Sequence, residues 1–365
     1  MANDERMIAG IATSTRRLYT EGDELYASML EAIRQARHSV KLESYIFADD
    51  EIGRRFAAAL GARALAGLQV LVHLDAAGSL FWASRRLAKG MQRDGVQIRW
   101  FHRWNWRHPT RYNRRNHRKL LVVDGRVGFL GGFNIHRENS REIYGARRWL
   151  DLHVEVRGCL ARMLQILFDA FWRGRRVGTP ILEADGDTLI TNHSRRGRHI
   201  LRNLYVARFA TTRHSIWLTT PYFVPDQRTR RSLKDAARRG VDVRVLVPLK
   251  SDVRLVQWAA RAIYARMLES GVRIYKYLPR MLHAKTVIVD GNWCTIGTAN
   301  IDYRSFFLNY ELVLASPDAK LAAALQRQFL SDLQESTQIQ AATWAQRHWP
   351  GRALERIGWL LRRWL

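Results

Sequence analysis

At 365 residues with 47% apolar side chains, the chain has material for two packed domains, and extensive disorder is excluded. The 60 Lys and Arg against 33 Asp and Glu leave a formal charge of +27, which calls for an anionic partner: nucleic acid, an anionic bilayer or a phosphorylated substrate. Cys159 and Cys294 are too few for a disulfide framework or a zinc site, and no window of roughly 18 uncharged apolar residues offers a membrane span.

The N-terminus, MANDERMIAG, lacks the basic-then-apolar order of a signal peptide, so a cytoplasmic protein, soluble or surface-bound, is the starting expectation. Residues 22–37 place Leu25, Met29, Ile33 and Ala36 on one helical face. Val40 to Phe47 alternates as a half-buried strand. A helix over about 51–66 leads through Gly67 to the strand LQVLVHLD, and a third helix over about 81–94 leads through Gly95 to VQIRWF. Strands alternating with helices predict a largely parallel sheet covered on both faces.

Residues 102–116 break this pattern with a loop both basic and aromatic. In one reading Arg103, Arg107, Arg111, Arg114 and Arg115 meet anionic lipid while Trp104 and Trp106 wedge into its interface. In the other the loop is solvated and its Trp residues pack on the neighbouring half. A strand, an Asp124-Gly125 turn and a returning strand follow, then a strand near WLDLHVEV and a helix over about 158–172. Residues 173–189 mix Gly, Pro and charge and read as a connector.

The second half repeats the order: a helix at about 197–212, the strand SIWLTT, a helix at 227–238, the strands VDVRVLV and GVRIYKY, a second Asp-Gly hairpin, the strand NYELVLA and a helix at about 317–335. The predicted divisions are 1–185, 190–340 and an Arg- and Trp-rich tail at 341–365. In the tail Leu354, Ile357, Leu361 and Trp364 share a face, which suits either an interfacial membrane helix or a helix capping the second half. The arginines at 195–198 and 228–231 read as solvated helix faces, Asp75 and Asp252 as helix caps, and the two cysteines as buried thiols.

Two stretches organise all of this. Residues 116–134 read NHRKLLVVDGRVGFLGGFN and residues 282–300 read LHAKTVIVDGNWCTIGTAN. Aligned without a gap they share His117/His283, Lys119/Lys285, Asp124/Asp290, Gly125/Gly291, Gly131/Gly297 and Asn134/Asn300. Side chains two apart on a strand point to one face, so each His projects with its Lys. Arg far outnumbers Lys in this chain, so a Lys kept in both copies is informative. An imidazole serves as nucleophile when neutral and as proton donor when charged, and a Lys ammonium suits a phosphate oxygen. Two such pairs meeting would surround one phosphodiester. No metal ligand set is apparent, and the chemistry needs no cofactor.

These residues carry a resemblance. The paired His-x-Lys-(x4)-Asp stretches, with a duplication over about 20–335, are similar to the signatures of the phospholipase D superfamily. The segments YIFADDEIG, PRMLHAKTVIVDG and NIDYRSFFLNYE look more narrowly like bacterial cardiolipin synthases of the shorter type without N-terminal membrane-spanning helices. The resemblance implies two tandem α/β/α sandwich halves related by a pseudo-twofold axis, with the active site at their interface. It implies transfer of a phosphatidyl group from one phosphatidylglycerol to another through a phosphohistidine, releasing glycerol, by a protein peripheral on the cytoplasmic side of the inner membrane. His117 would be the nucleophile and His283 the general acid and base. Lys119, Lys285, Asn134 and Asn300 would bind phosphoryl oxygens, Asp151 would orient His283, and Glu311 would orient His117. Asp124 and Asp290 complete the catalytic signature, although at a hairpin turn they are expected to shape it rather than touch substrate. Gly132 is answered by Thr298 and Asp151 by Glu311, so the copies are not symmetric. Hydrolysis of phospholipid or nucleic acid is the alternative within the superfamily, and a basic binding module with a decayed site is a third reading, opposed by two intact signatures.

Overall fold

A computed structural model describes residues 14–79, 85–102, 106–107, 113–174, 181–192, 194–346 and 349–361. The first half contributes β1 (Arg16–Tyr19), β2 (Ser39–Ser44), β3 (Gln69–Asp75), β4 (Gln97–Phe101), β5 (Leu120–Val123), β6 (Val127–Gly131) and β7 (His153–Arg157), in the order β1-β7-β6-β5-β2-β3-β4. The second contributes β8 (Ile181–Ala184), β9 (Asp187–Thr191), β10 (Ser215–Thr219), the short β11 (Phe223–Val224), β12 (Asp242–Pro248), β13 (Arg273–Tyr277), β14 (Thr286–Val289), β15 (Trp293–Gly297), β16 (Ile301–Asp302), β17 (Leu312–Ser316) and β18 (Ser336–Gln338). Its sheet runs β18-β13-β12-β10-β14-β15-β17-β9-β8, and β11 pairs with β16 apart from it. Seven strands of each sheet follow one plan, so the duplication read in the motifs is a duplication of the whole fold.

The sheets are mixed rather than largely parallel. In the two large sheets β2-β3-β4 and β10-β12-β13 run parallel, while β5-β6-β7 and β14-β15-β17 are antiparallel. The cause is the Asp-Gly turn, which is too short for the crossover a parallel pair needs. Asp124 and Gly125 both have positive φ (54° and 64°), as do Asp290 and Gly291 (50° and 68°), the left-handed conformation that Asp-Gly supplies in a tight hairpin. The expected connector holds a third such hairpin, β8-β9, across Asp185-Gly186, so the second sheet already begins at Ile181.

Helices α1 (Gly22–Arg34), α2 (Glu51–Leu65) and α3 (Arg85–Arg93) accompany the first sheet, and α4 (Cys159–Trp172) closes that half. Their counterparts are α5 (Arg195–Thr211), α6 (Gln227–Arg238), α7 (Arg254–Leu268) and α8 (Ala319–Gln334). Along β5 the side chains alternate: Leu121 and Val123 join an outer core with Leu25, Met29 and Phe56, while Leu120 and Val122 join a central one. That central core takes Leu160 and Leu164 from α4 and Leu325 and Phe329 from α8, so both halves bury apolar surface in common. Cys159 and Cys294 are buried.

The tail forms α9 (Trp349–Leu361). A Cβ at Gly358 would stand 2.7 Å from the Ala259 nitrogen and 2.9 Å from the Trp258 Cβ, so α9 and α7 touch almost backbone to backbone. The capping reading holds for this face. Away from it Leu354, Ile357 and Leu360 are exposed, Leu360 by 74%. Trp364 lies outside the described residues.

Candidate active site

Each motif histidine is delivered by a strand extension that pairs with the opposite half. The His117 N–H donates to the Tyr310 carbonyl (2.9 Å), and the Tyr310 N–H donates to that of Arg115 (2.8 Å). Reciprocally, the Leu150 N–H donates to Met281 (2.8 Å), and the His283 N–H donates to Leu150 (2.7 Å). Tyr310 and Leu150 immediately precede Glu311 and Asp151, so these bridges carry each carboxylate to the other half's histidine. His117 Nδ1 stands 3.0 and 3.2 Å from the Glu311 oxygens and 3.1 Å from the Thr298 carbonyl. His283 Nδ1 stands 2.5 Å from Asp151 Oδ2. A carboxylate on Nδ1 fixes ring orientation and stabilises the imidazolium, leaving Nε2 for chemistry. Among the described residues neither Nε2 has a hydrogen-bond partner.

The lysines fold back onto the same segments. Lys119 Nζ donates to the His117 carbonyl (2.9 Å); Lys285 Nζ donates to the His283 carbonyl and lies 2.8 Å from His283 Nδ1 and 3.7 Å from Asp151. All four motif side chains are buried. Burial and the neighbouring Lys285 push Lys119 down to about 7, and burial takes Lys285 down to about 8 despite Asp151 and Glu311. Burial, then Lys285 and Lys119, hold His283 well below its ordinary value; burial lowers His117 too, against the pull of Glu311. Beyond burial, Lys285 depresses Lys119 and both lysines depress the histidines, so an anion among them would be favoured. Asn134 and Asn300 are buried as well. Asn134 Oδ1 accepts from the Ile46 N–H (3.1 Å), which leaves its amide hydrogens to donate, and Asn300 Oδ1 is buried without a partner among the described residues.

The two departures from symmetry are one device. A Cβ at Gly132 would stand 1.9 Å from Asp151 Oδ1, so glycine is what lets the short carboxylate come in under His283. In the other half the longer Glu311 reaches His117 past Thr298, whose hydroxyl donates to Glu311 Oε2 (2.5 Å) and accepts from the Leu312 N–H (3.0 Å). Glycine goes with aspartate, and threonine with glutamate.

Asp124 and Asp290 are not brought to this site. The Asp124 carboxylate accepts the backbone N–H groups of Arg37, His38 and Ser39, each at 2.8 Å, and Asp290 accepts those of Arg213, His214 and Ser215 at 2.8–3.1 Å. Each clasps its hairpin to the start of β2 or β10, a four-residue strand away from the motif lysine. They leave the catalytic set for this reason.

Several partners of the site carry no motif signal. The Tyr45 ring meets His117 edge-on at 5.0 Å, and Trp149 lies 5.3 Å from His283. Beneath His117 the buried Glu43 pairs with Arg118 (3.0 Å) and accepts from Asn116 (2.9 Å). Asp75 caps the turn that follows β3, accepting from the N–H groups of Ala77 and Gly78, and it also accepts from that of Asn116 and pairs with Arg115 at 3.3 Å. Asp252 is no helix cap, since its carboxylate takes the Tyr222 hydroxyl and α7 begins after Val253. Arg115 is therefore buried in structure rather than offered to lipid, whereas Trp106 is 75% exposed; Arg103, Trp104 and Arg111 lie outside the described residues.

Among the described residues no group of three or more His, Cys, Asp or Glu is arranged to hold a metal ion, and no helix is long and apolar enough to cross a membrane. The sequence profile of the family described as "Cardiolipin synthase, PLD-like domain" matches residues 29–146 and 205–333, one segment in each half. Cardiolipin synthase of Geobacillus sp. (strain WCH70) is 36% identical over 371 aligned positions, covering 96% of this chain and 72% of that protein. Cardiolipin synthase of Halalkalibacterium halodurans is 36% identical over 361, covering 94% and 71%. Among solved structures, phosphatidylserine synthase of Haemophilus influenzae Rd KW20 matches with a TM-score of 0.73 over 100% of this chain and 99% of its own, at 13% identity, a likeness of fold. On its duplicated α/β/α architecture and these matches, the chain belongs to the phospholipase D-like cardiolipin synthase family.

Proposed function

We propose that this chain transfers a phosphatidyl group from one phosphatidylglycerol to the hydroxyl of another through a phosphohistidine, releasing glycerol. The observation that carries the reading is the reciprocal pairing of each motif histidine with a carboxylate of the other half, above two buried lysines. His117 Nε2 attacks phosphorus, the bond to the glycerol oxygen breaks, and His283 supplies the proton that glycerol carries away. His283 then takes the proton of the incoming hydroxyl, whose oxygen attacks phosphorus and returns the electron pair to His117. Lys119, Lys285, Asn134 and Asn300 hold the non-bridging oxygens as charge gathers on them. Water in place of the second alcohol would give phosphatidate by the same steps. The charge of +27 supports work at an anionic membrane surface, with cytoplasmic-side peripheral attachment as the corresponding placement.

The test is incubation of the protein with labelled phosphatidylglycerol in mixed micelles. Diphosphatidyl lipid plus glycerol is expected. Phosphatidate alone would mean a hydrolase, and cleavage of DNA lost in His117→Ala would mean a nuclease. Denatured in detergent at mildly alkaline pH, where a phosphohistidine bond survives, His117→Ala should carry no phosphatidyl label while His283→Ala is labelled slowly; a labelled His117→Ala protein would reverse the roles of the two histidines.

A further inference from the structure

The two halves differ next to Asn134 and Asn300 as well as at their carboxylates. In the first half Ile46 precedes Phe47, which bridges to Ile135 beside Asn134; in the second, Tyr222 precedes Phe223, which pairs with Ile301 beside Asn300. A tyrosine therefore stands where the first half has an aliphatic side chain, one residue from the strand that carries a phosphate-site asparagine. The Tyr222 hydroxyl donates to Asp252, 2.7 Å from each carboxylate oxygen, and the Ser251 hydroxyl lies 3.4 Å from Oδ1. Asp252 is exposed while Tyr222 is half-buried, so the protein orients this carboxylate without covering it. Its charge acts on His283 and Lys285 of its own half and on Tyr45 of the other.

We propose that Tyr222 and Asp252 form the subsite for the alcohol headgroup, and that its ligand is a neutral polyol presenting a vicinal diol. This rests on the phosphatidyltransferase reading above, in which His283 faces the departing and arriving alcohol. An ionised carboxylate has about four acceptor positions, and the tyrosine hydroxyl occupies few of them, so both hydroxyls of a diol can donate to what remains. The phenol that donates to Asp252 also keeps lone pairs for a ligand hydroxyl. A cationic headgroup would have the carboxylate as a partner too, but it would enter beside Lys119 and Lys285, two buried lysines that would repel it. A neutral diol brings no such conflict.

The experiment compares kcat/KM on phosphatidylglycerol, phosphatidylmethanol and phosphatidylethanolamine in the same mixed micelles, for the wild type, Asp252→Asn and Tyr222→Phe. The ratio of phosphatidylglycerol to phosphatidylmethanol should fall about tenfold or more in Asp252→Asn, the effect of losing hydrogen bonds to a charged acceptor, and less in Tyr222→Phe. Equal losses on both lipids would mean that Asp252 acts only through His283 and Lys285, and would overturn the subsite. So would a selective loss of phosphatidylethanolamine use. A wild type inert on all three lipids overturns the phosphatidyltransferase reading and the subsite with it, whereas an active wild type whose preference is unmoved in Asp252→Asn overturns the subsite alone.

Discussion

The substitution Gly132→Ala tests whether the cross-half carboxylate controls the reaction. The added methyl would stand 1.9 Å from Asp151 Oδ1, where ordinary contact begins at 3.4 Å, so one of the two must retreat by roughly 1.5 Å. Asp151 has little freedom to do so, because Oδ1 accepts from the Leu152 N–H at 2.8 Å and Oδ2 meets His283 at 2.5 Å. A shift of that size takes the His283 contact beyond hydrogen-bonding range. Losing a hydrogen bond to a charged group costs about 1.5–3 kcal/mol, which as a barrier is roughly 10- to 150-fold in kcat. The assay is steady-state transfer on phosphatidylglycerol micelles, with circular dichroism and thermal melting to confirm an intact fold. The same substitution in an Asp151→Asn background should add little, since both act through one contact. A folded Gly132→Ala protein with wild-type kcat would refute the reasoning. An undiminished penalty in the Asp151→Asn background would refute it equally.

Three further outcomes are expected. Lys119 and Lys285 are pushed down to about 7 and about 8, so their ammonium forms are lost from the empty site as pH rises through that window, and a bound anion raises both. kcat/KM should therefore fall above about pH 7, and calorimetry of inorganic phosphate binding at pH 8 in buffers of different ionisation enthalpy should register proton uptake; buffer-independent heats would contradict this. Burial alone would raise Asp124, but three backbone N–H groups outweigh it and hold the carboxyl below its ordinary value. Its stabilisation is present above the unfolded value of about 4 and fades as pH falls through the folded one, so Asp124→Asn should lower Tm at neutral pH, flatten the acid limb of stability and spare kcat per folded molecule. Leu360→Glu, on the open face of α9, should weaken partition onto phosphatidylglycerol vesicles with Tm unchanged; unaltered partition would make that face an ordinary surface.

How far such outcomes could be foreseen depends on which signals are local in sequence. The duplication was legible because His, Lys, Asp-Gly and Asn recur at one spacing within 19-residue windows, and strand alternation and turn chemistry act over the same range. α7 carries as plain a signal, since Val256, Ala259, Ala260, Ile263, Tyr264 and Met267 form a helical stripe, although the helices expected from the sequence do not include it. The β8-β9 hairpin has the same Asp-Gly signal as the motifs, but its strands are short and partly polar, and among Gly, Pro and charge it looked like a linker. Strand direction was misjudged because alternation with helices describes only half of each sheet. The Glu43–Arg118 pair was out of reach: 75 residues separate the partners, and nothing in either segment says that a charge is buried there. The pairing of Asp151 and Glu311 with opposite histidines came from resemblance alone, because topology chooses those partners. The asymmetries were visible as mismatches between the copies, but their cause was not, because whether a methyl fits at position 132 depends on a carboxylate that the fold brings there. The Gly132–Asp151 and Thr298–Glu311 pairings make the environments of the two histidines differ, which is compatible with the separate roles proposed for them.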